Sequence, residues 1–395
     1  MSIFVTGMGV ISAIGNNVEE NLKALLNSKG GINPLTSINR MRKPFIGGQV
    51  KLSNNYLLNT FSISDAKTPH RSTLLGLKAA REAWGNRTEL NGIRTGIIYG
   101  TTIGSIDIDD ELLEVLVNSS EKEQKVSYAK IHEPNFGTDF IAKHAGIKNN
   151  RFTISTACST AANSIMTGAR MIKAGKLDRV LVGGAECITN YTLNGFDALM
   201  LYSNEPCTPF DNQRKGLNLG EGSGFLVLEN EKSVSACGSE KLMRLTGWAN
   251  TCDAYHITAS SPEGAGAKLA IEKSLQMASI KPEEIHYINA HGTGTPNNDS
   301  SEYAAMHAVF GDDIPDFNST KSFTGHTLAA AGSIEAIYTI LAMQHNAVFP
   351  TLNTKVQMEE AKQKPVLELK HKKINKALSN SFGFGGNCTA LVFEK

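Results

Sequence analysis

The sequence predicts an α/β fold built from two similar halves, and three observations point to it. Short, apolar, β-rich runs alternate with longer helical patterns along the chain, and several of those runs are unbroken, as in strands buried on both faces. Two pairs of segments echo one another. Phe4-Val5-Thr6-Gly7-Met8-Gly9 is matched by Arg244-Leu245-Thr246-Gly247-Trp248-Ala249, and the run from Cys158 to Ile165 by the run from His326 to Ile334. Finally, 395 residues exceed what one hydrophobic core usually supports.

Strands are predicted over residues 3–5, 96–99, 152–155, 179–182, 224–228, 285–289 and 391–393. Helices are predicted over 18–27, 73–84, 159–174, 265–278, 299–310 and 327–344. The polar, helix-weak stretch 229–241 is the expected seam, giving a first half of residues 1–235 and a second of 236–395. The second echo places two polar, chemically able residues, Cys158 and His326, each at the start of a helix rich in Ala, Ser and Gly. Such helices approach other backbones closely, so both are expected at the centre of the molecule.

Composition narrows the function. With 39 basic and 38 acidic side chains the formal charge is +1, which leaves no electrostatic footprint for nucleic acid. Hydrophobic residues at 41% against 19% charged exclude wholesale disorder. No run of about 18 apolar residues predicts a membrane span, and the N-terminal residues read as a strand rather than a signal segment. The six cysteines are dispersed without a CxxC pair, so neither a disulfide framework nor a cysteine zinc site is expected. A reducing, cytoplasmic compartment fits. Each cysteine is by default a small buried hydrophobe.

Cys158 stands apart because it lies where a β-rich run gives way to a small-residue helix. Unpaired N–H groups and the positive end of the helix dipole favour the attacking thiolate and can hold an oxyanion. A buried structural cysteine is the competing reading. In Ala290-His291-Gly292-Thr293-Gly294-Thr295 a histidine follows a strand directly, where α/β folds bind ligands. The glycines permit tight turns and the threonines offer hydroxyls. Asp299 and Glu302, three apart on the next helix, are read as capping it or holding the loop rather than as acids. Lys321 and His326 close a segment at another helix start. A neutral His326 donating through Nε2–H fits that setting, and a capping histidine is the alternative. Glu335, fourteen residues beyond Lys321, is expected to be paired. Residues 380–387 form a third, glycine-rich site. Gly7-Met8-Gly9-Val10-Ile11-Ser12 half-matches a dinucleotide fingerprint, but Ser12 replaces the third glycine and no acidic residue ends a second strand at the required distance.

Four motifs then stand in order: ThrAlaCysSerThr at 156–160, HisGlyThrGlyThr at 291–295, ThrLysSerPheThrGlyHis at 320–326 and AsnSerPheGlyPheGlyGly at 380–386. Together they resemble the β-ketoacyl-acyl-carrier-protein synthases of the elongating KAS I/II type, in the thiolase superfamily, over nearly the whole chain. The resemblance implies a duplicated αβαβα five-layer thiolase-like fold, usually a homodimer. It also implies decarboxylative Claisen condensation of an acyl group with malonyl-acyl-carrier protein, with acyl carrier protein as partner and no metal or redox cofactor. Cys158 would accept the acyl group, with the N–H groups of Cys158 and Phe384 as oxyanion hole. His291 and His326 would bind the malonyl thioester carbonyl, with Lys321 holding the pair. Glu335 would pair with Lys321 or organise local water. Thr293 and Thr295 match positions that bind the pantetheine arm, Phe384 matches a gate, and Ile103 and Phe196 match positions lining the acyl pocket. Lys67, His70 and Arg71 are candidates for meeting an acidic carrier.

The SerThrAlaAlaAsn run after Cys158, and the absence of a basic residue in 196–202, point toward a dedicated pathway such as polyene or polyketide synthesis. Two other readings compete. A non-catalytic partner subunit like a chain-length factor would typically lack the nucleophile. A coenzyme A thiolase would use a second cysteine such as Cys388.

Overall fold

The computed structural model describes residues 2–36, 38, 41–63, 70–102, 104 and 133–395. Ten strands make one large sheet. The first half contributes β1 (Ile3–Ile11), β2 (Thr95–Gly100), β3 (Arg151–Ile154), β4 (Arg179–Glu186) and β5 (Gly222–Asn230). The second contributes β6 (Met243–Cys252), β7 (Tyr287–Asn289), β8 (Asp316–Asn318), β9 (Lys376–Gly383) and β10 (Asn387–Glu394). The order is β8-β7-β9-β10-β6-β1-β5-β4-β2-β3. Counted inward from its outer edge, each group of five runs third, second, fourth, fifth, first. In both groups the outer three strands are parallel and the inner pairings antiparallel. The groups join where Phe4 faces Arg244 and Val5 faces Met243. The first sequence echo is therefore the pair of symmetry-equivalent strands β1 and β6, which meet at the junction.

The principal helices are α1 (Val18–Leu26), α2 (Arg71–Trp84), α3 (Phe136–Ala145), α4 (Thr160–Lys173), α5 (Asn190–Ala198), α6 (Ala265–Ala278), α7 (Pro296–Phe310) and α8 (Ala331–His345). The small-residue helices α4 and α8 touch each other and pack on strands of both halves. Outside them, α2 covers β1, β4 and β5, while α6 covers β6 and β10. These contacts give the five layers of the duplicated αβαβα fold. Gly332 shows why the central layer needs small residues: a Cβ there would lie 2.7 Å from the Ala162 amide nitrogen.

Several expectations change in detail. β1 runs on through the half-matched glycine motif. A Cβ at Gly9 would lie 2.2 Å from the Ala79 carbonyl oxygen, so that glycine serves the approach of α2 to the sheet. The 229–241 stretch is ordered into the end of β5 and a short helix, Glu231–Cys237, capped by the Asn230 side chain on the Ser233 N–H. The glycine-rich segment begins as strand β9, and its loop is confined to 384–386. All six cysteines are free thiols, and Cys252 is exposed rather than buried. Among the described residues no helix is long and apolar enough to cross a membrane.

Candidate active site

The first half supplies Cys158. Strand β3 ends at Ile154, Ala157 takes a left-handed φ of 51°, and Ser159 takes the N-cap position of α4 without a side-chain capping bond. This strand–turn–helix passage leaves Cys158 one residue before the N-cap position of α4. Leu35, Phe45, Ile188, Leu193, Tyr202, Leu217, Leu219 and Leu328 form the apolar cluster around it. Burial among them pushes the thiol up to about 11, against the pull of the Lys321 ammonium and the Phe384 N–H. The helix-end setting was expected to favour thiolate. Burial works against that, and a thiol pushed up to about 11 is protonated at neutral pH.

The second half supplies the imidazoles. His291 follows β7 in a loop that two carboxylates of α7 hold from beneath. Glu302 accepts the His291 N–H at 2.8 Å, the Gly292 N–H at 2.7 Å and the Asn380 side-chain amide at 3.1 Å. Asp299 accepts the Thr293 N–H at 2.9 Å, the Gly294 N–H at 3.1 Å and the Phe210 N–H at 2.8 Å. Of the two structural roles open to these carboxylates, holding the loop is the one their bonds describe. Gly292 and Gly294, with φ of 35° and 81°, allow the turn that aims these N–H groups inward.

Lys321 is buried and spends its ammonium protons on the His291 Nδ1 at 3.1 Å, the His291 carbonyl and the Glu335 carboxylate. Because Lys321 donates to Nδ1, the neutral His291 ring carries its proton on Nε2. His326 reaches the same state by a different route, its Nδ1 accepting the Leu328 N–H at 3.3 Å. Burial holds both imidazoles well below their ordinary value, and the Lys321 charge adds to this, as does His326 for His291. Both rings are thus neutral Nε2–H donors at pH 7, with centroids 5.3 Å apart and planes at 85°. Burial raises the Glu335 carboxyl above its usual range, and Lys321 pulls it back down.

Cys158, His291, His326, Thr293, Thr295, Phe196 and Phe384 line one cavity of about 190 Å³. The Thr293 and Thr295 hydroxyls lie 2.9 Å apart, and Phe196 stacks on Phe384 with centroids 5.8 Å apart. Lys321, Glu335, Asp299 and Glu302 stand behind that lining. Ile103 and Lys67 lie outside the described residues. Leu199, Leu201, Leu217, Phe382 and Cys388 also line the cavity. The four apolar ones carried no signal in the sequence that separates them from core residues.

His70 is buried, and Arg71 donates to both carboxylate oxygens of the buried Glu221, at 2.8 and 2.6 Å, and to the carbonyls of Val50 and Leu52. A guanidinium held bidentately beside a buried carboxylate serves the fold.

This geometry agrees with the comparisons. Residues 1–233 match the model of the beta-ketoacyl synthase N-terminal domain, and residues 242–355 that of the C-terminal domain. The 3-oxoacyl-[acyl-carrier-protein] synthase 2 of Staphylococcus aureus (strain COL) is 33% identical, with 100% of this chain and 98% of that protein covered. Its namesake from Synechocystis sp. is 34% identical at the same coverage. Among solved structures, the ishigamide ketosynthase/chain length factor superposes with a TM-score of 0.92 at 29% identity, covering 100% of this chain and 99% of that one. A ketosynthase in complex with its chain length factor from Xenorhabdus doucetiae gives 0.84 at 30%, covering 100% and 98%. The chain belongs to the beta-ketoacyl synthase family. It is an acyltransferase of the KAS II-like, thiolase-superfamily type.

Proposed function

We propose that Cys158 carries the acyl group and that His291 and His326 drive decarboxylation of the incoming malonyl thioester. The observation behind this reading is the shared cavity: a sulfur from one half and two neutral Nε2–H donors from the other line the same small volume. In the first step the Cys158 sulfur attacks the carrier thioester. The oxyanion is held by the N–H groups of Cys158 and Phe384, and the thiol proton leaves with the carrier sulfhydryl. In the second step carbon dioxide departs from the malonyl group, and the Nε2–H groups hold the resulting enolate oxygen. The carbanion attacks the acyl-Cys158 carbonyl, the C–S bond breaks, and the Cys158 thiolate takes up one proton from solvent. Two preorganised donors aimed at the enolate oxygen stabilise charge where it develops.

Lys321 acts through His291 and Glu335 offsets its charge, while Asp299 and Glu302 position the loop. Thr293 and Thr295 receive the pantetheine arm. Phe196 and Phe384 screen the thioester from water. Acyl carrier protein delivers both substrates. The active form is a dimer in the cytoplasm, and each chain divides near residue 235, where the short helix after β5 closes the first half. The solved neighbours titled as ketosynthase with chain length factor, and one titled as a type II PKS acyl-carrier protein in complex with its ketosynthase, favour a polyketide or polyene pathway. The intact Cys158, His291, His326 and Lys321 set favours the catalytic role over that of a chain-length factor.

Intact-mass profiling with a panel of acyl-carrier thioesters tests the nucleophile. One acyl mass is expected on the native chain and none on Cys158→Ala at unchanged circular dichroism. Loading that persists in Cys158→Ala overturns the assignment.

A further inference from the structure

Beneath the gate loop, where the halves meet, lies a closed ring of polar side chains that the mechanism above does not use. Asn387 is the first residue after the 384–386 loop, and its side-chain carbonyl oxygen is the hub. It lies 2.7 Å from the Ser159 hydroxyl and accepts the Asn163 amide at 2.8 Å and the Asn250 amide at 2.7 Å. The ring closes through Thr389, whose hydroxyl donates to the Asn163 carbonyl at 3.0 Å and accepts from the Asn250 amide at 2.9 Å. The second Asn163 N–H goes to the Thr156 hydroxyl at 2.8 Å, two residues before the nucleophile. Ser159, Asn163 and Thr156 belong to the Cys158 turn and α4. Asn250 and Thr389 belong to strands β6 and β10 of the other half.

The hub joins the two segments that must stay in register for an oxyanion hole. One N–H donor, that of Cys158, comes from the α4 side; the other, that of Phe384, comes from the loop ending at Asn387. Backbone hydrogen bonds of β10 fix Asn387 to β6 but do not tie it to α4. The Asn163 amide and the Ser159 hydroxyl, which also reaches the Thr156 carbonyl at 2.8 Å, supply that tie, and the Asn250 amide holds the same oxygen from β6, in a half-buried setting where unmade bonds are costly.

We propose that Asn387 is a positioning residue, clamping the Phe384 N–H against the Cys158 turn so that both donors reach one thioester oxygen. The inference rests on the assignment of Cys158 as acyl acceptor. It concerns acyl transfer, which needs the oxyanion hole, and not simple alkylation of the sulfur, which does not.

The test compares two rates at Cys158: acylation by an acyl-carrier thioester, followed by intact mass, and alkylation by iodoacetamide. In Asn387→Leu, acylation is expected to fall by about 10- to 100-fold, as for a displacement of about 1 Å at a reacting centre, through the maximal rate rather than KM. Alkylation should fall by a clearly smaller factor, since it has no oxyanion to hold and loses only the pull of the Phe384 N–H on the sulfur. Asn387→Asp keeps the accepting oxygen and should keep the native ratio of the two rates even if its charge slows both. Asn250→Ala, which removes one donor, should lower the ratio by a smaller factor, and it serves if Asn387→Leu does not fold. An unchanged ratio in both Asn387→Leu and Asn250→Ala overturns the proposal. Absence of acyl loading in the native chain would instead overturn the nucleophile assignment.

Discussion

The Lys321 ammonium lies 3.1 Å from the His291 Nδ1 and shares the Glu335 carboxylate in a buried pair. This fixes the His291 tautomer and leaves the Nε2–H facing the cavity. The same charge keeps His291 and His326 from taking up protons, so one cation orients one donor and keeps both neutral.

Removing that cation strands a buried carboxylate. Lys321→Met should cost about 3–5 kcal/mol, the usual penalty for breaking a buried ion pair from one side. Lys321→Met/Glu335→Gln should recover a large part of it, because no uncompensated charge remains. Thermal unfolding of the single and double variants measures this. A double variant no more stable than Lys321→Met would contradict the pairing.

The histidines give stability a specific pH dependence. Their folded-state values are depressed by burial and by Lys321, so the folded chain binds protons less readily than the unfolded one. The stability this contributes is fully present above the ordinary histidine value of about 6.5 and is lost as pH falls below it, by up to about 1.4 kcal/mol per pH unit for each histidine. Urea unfolding at pH 7 and pH 5 should show a smaller drop for His291→Asn/His326→Asn than for the native chain. Equal drops would contradict neutral, desolvated rings.

The thiol predicts a different profile. With Cys158 pushed up to about 11 by burial, its thiolate fraction grows about tenfold per pH unit through the neutral range. Alkylation by iodoacetamide should therefore be roughly 100-fold faster at pH 9 than at pH 7. A rate that levels off near pH 7 would mean that the helix end outweighs desolvation after all.

What the sequence revealed follows from which interactions are local. Helix 265–278 was legible to the residue, because its pattern and its Gly264 and Ser279 boundaries lie within the segment. The central position of α4 and α8 was legible from small residues alone. β8 was missed because Phe317 is its one apolar residue, between Asp316 and Asn318, and β9 because its Ser, Asn and Gly residues read as a loop. At the site, motif order brought Cys158, His291, His326 and Lys321 forward. The state of the Cys158 thiol was not legible, since the apolar shell that desolvates it comes from residues as distant as Leu35 and Leu328. The pairing of Arg71 was hidden for the same reason: its partner Glu221 lies 150 positions away.

The most direct measurement follows both half-reactions on the purified chain alone. The native protein is loaded with an acyl group, given malonyl-carrier thioester, and followed for carbon dioxide release and β-ketoacyl product. His291→Ala and His326→Ala are taken through the same steps. The mechanism predicts product from the native chain, and normal loading but about 100- to 1,000-fold slower release of carbon dioxide in either variant, as when one donor is removed from an oxyanion site. Native-like release from both histidine variants would contradict it.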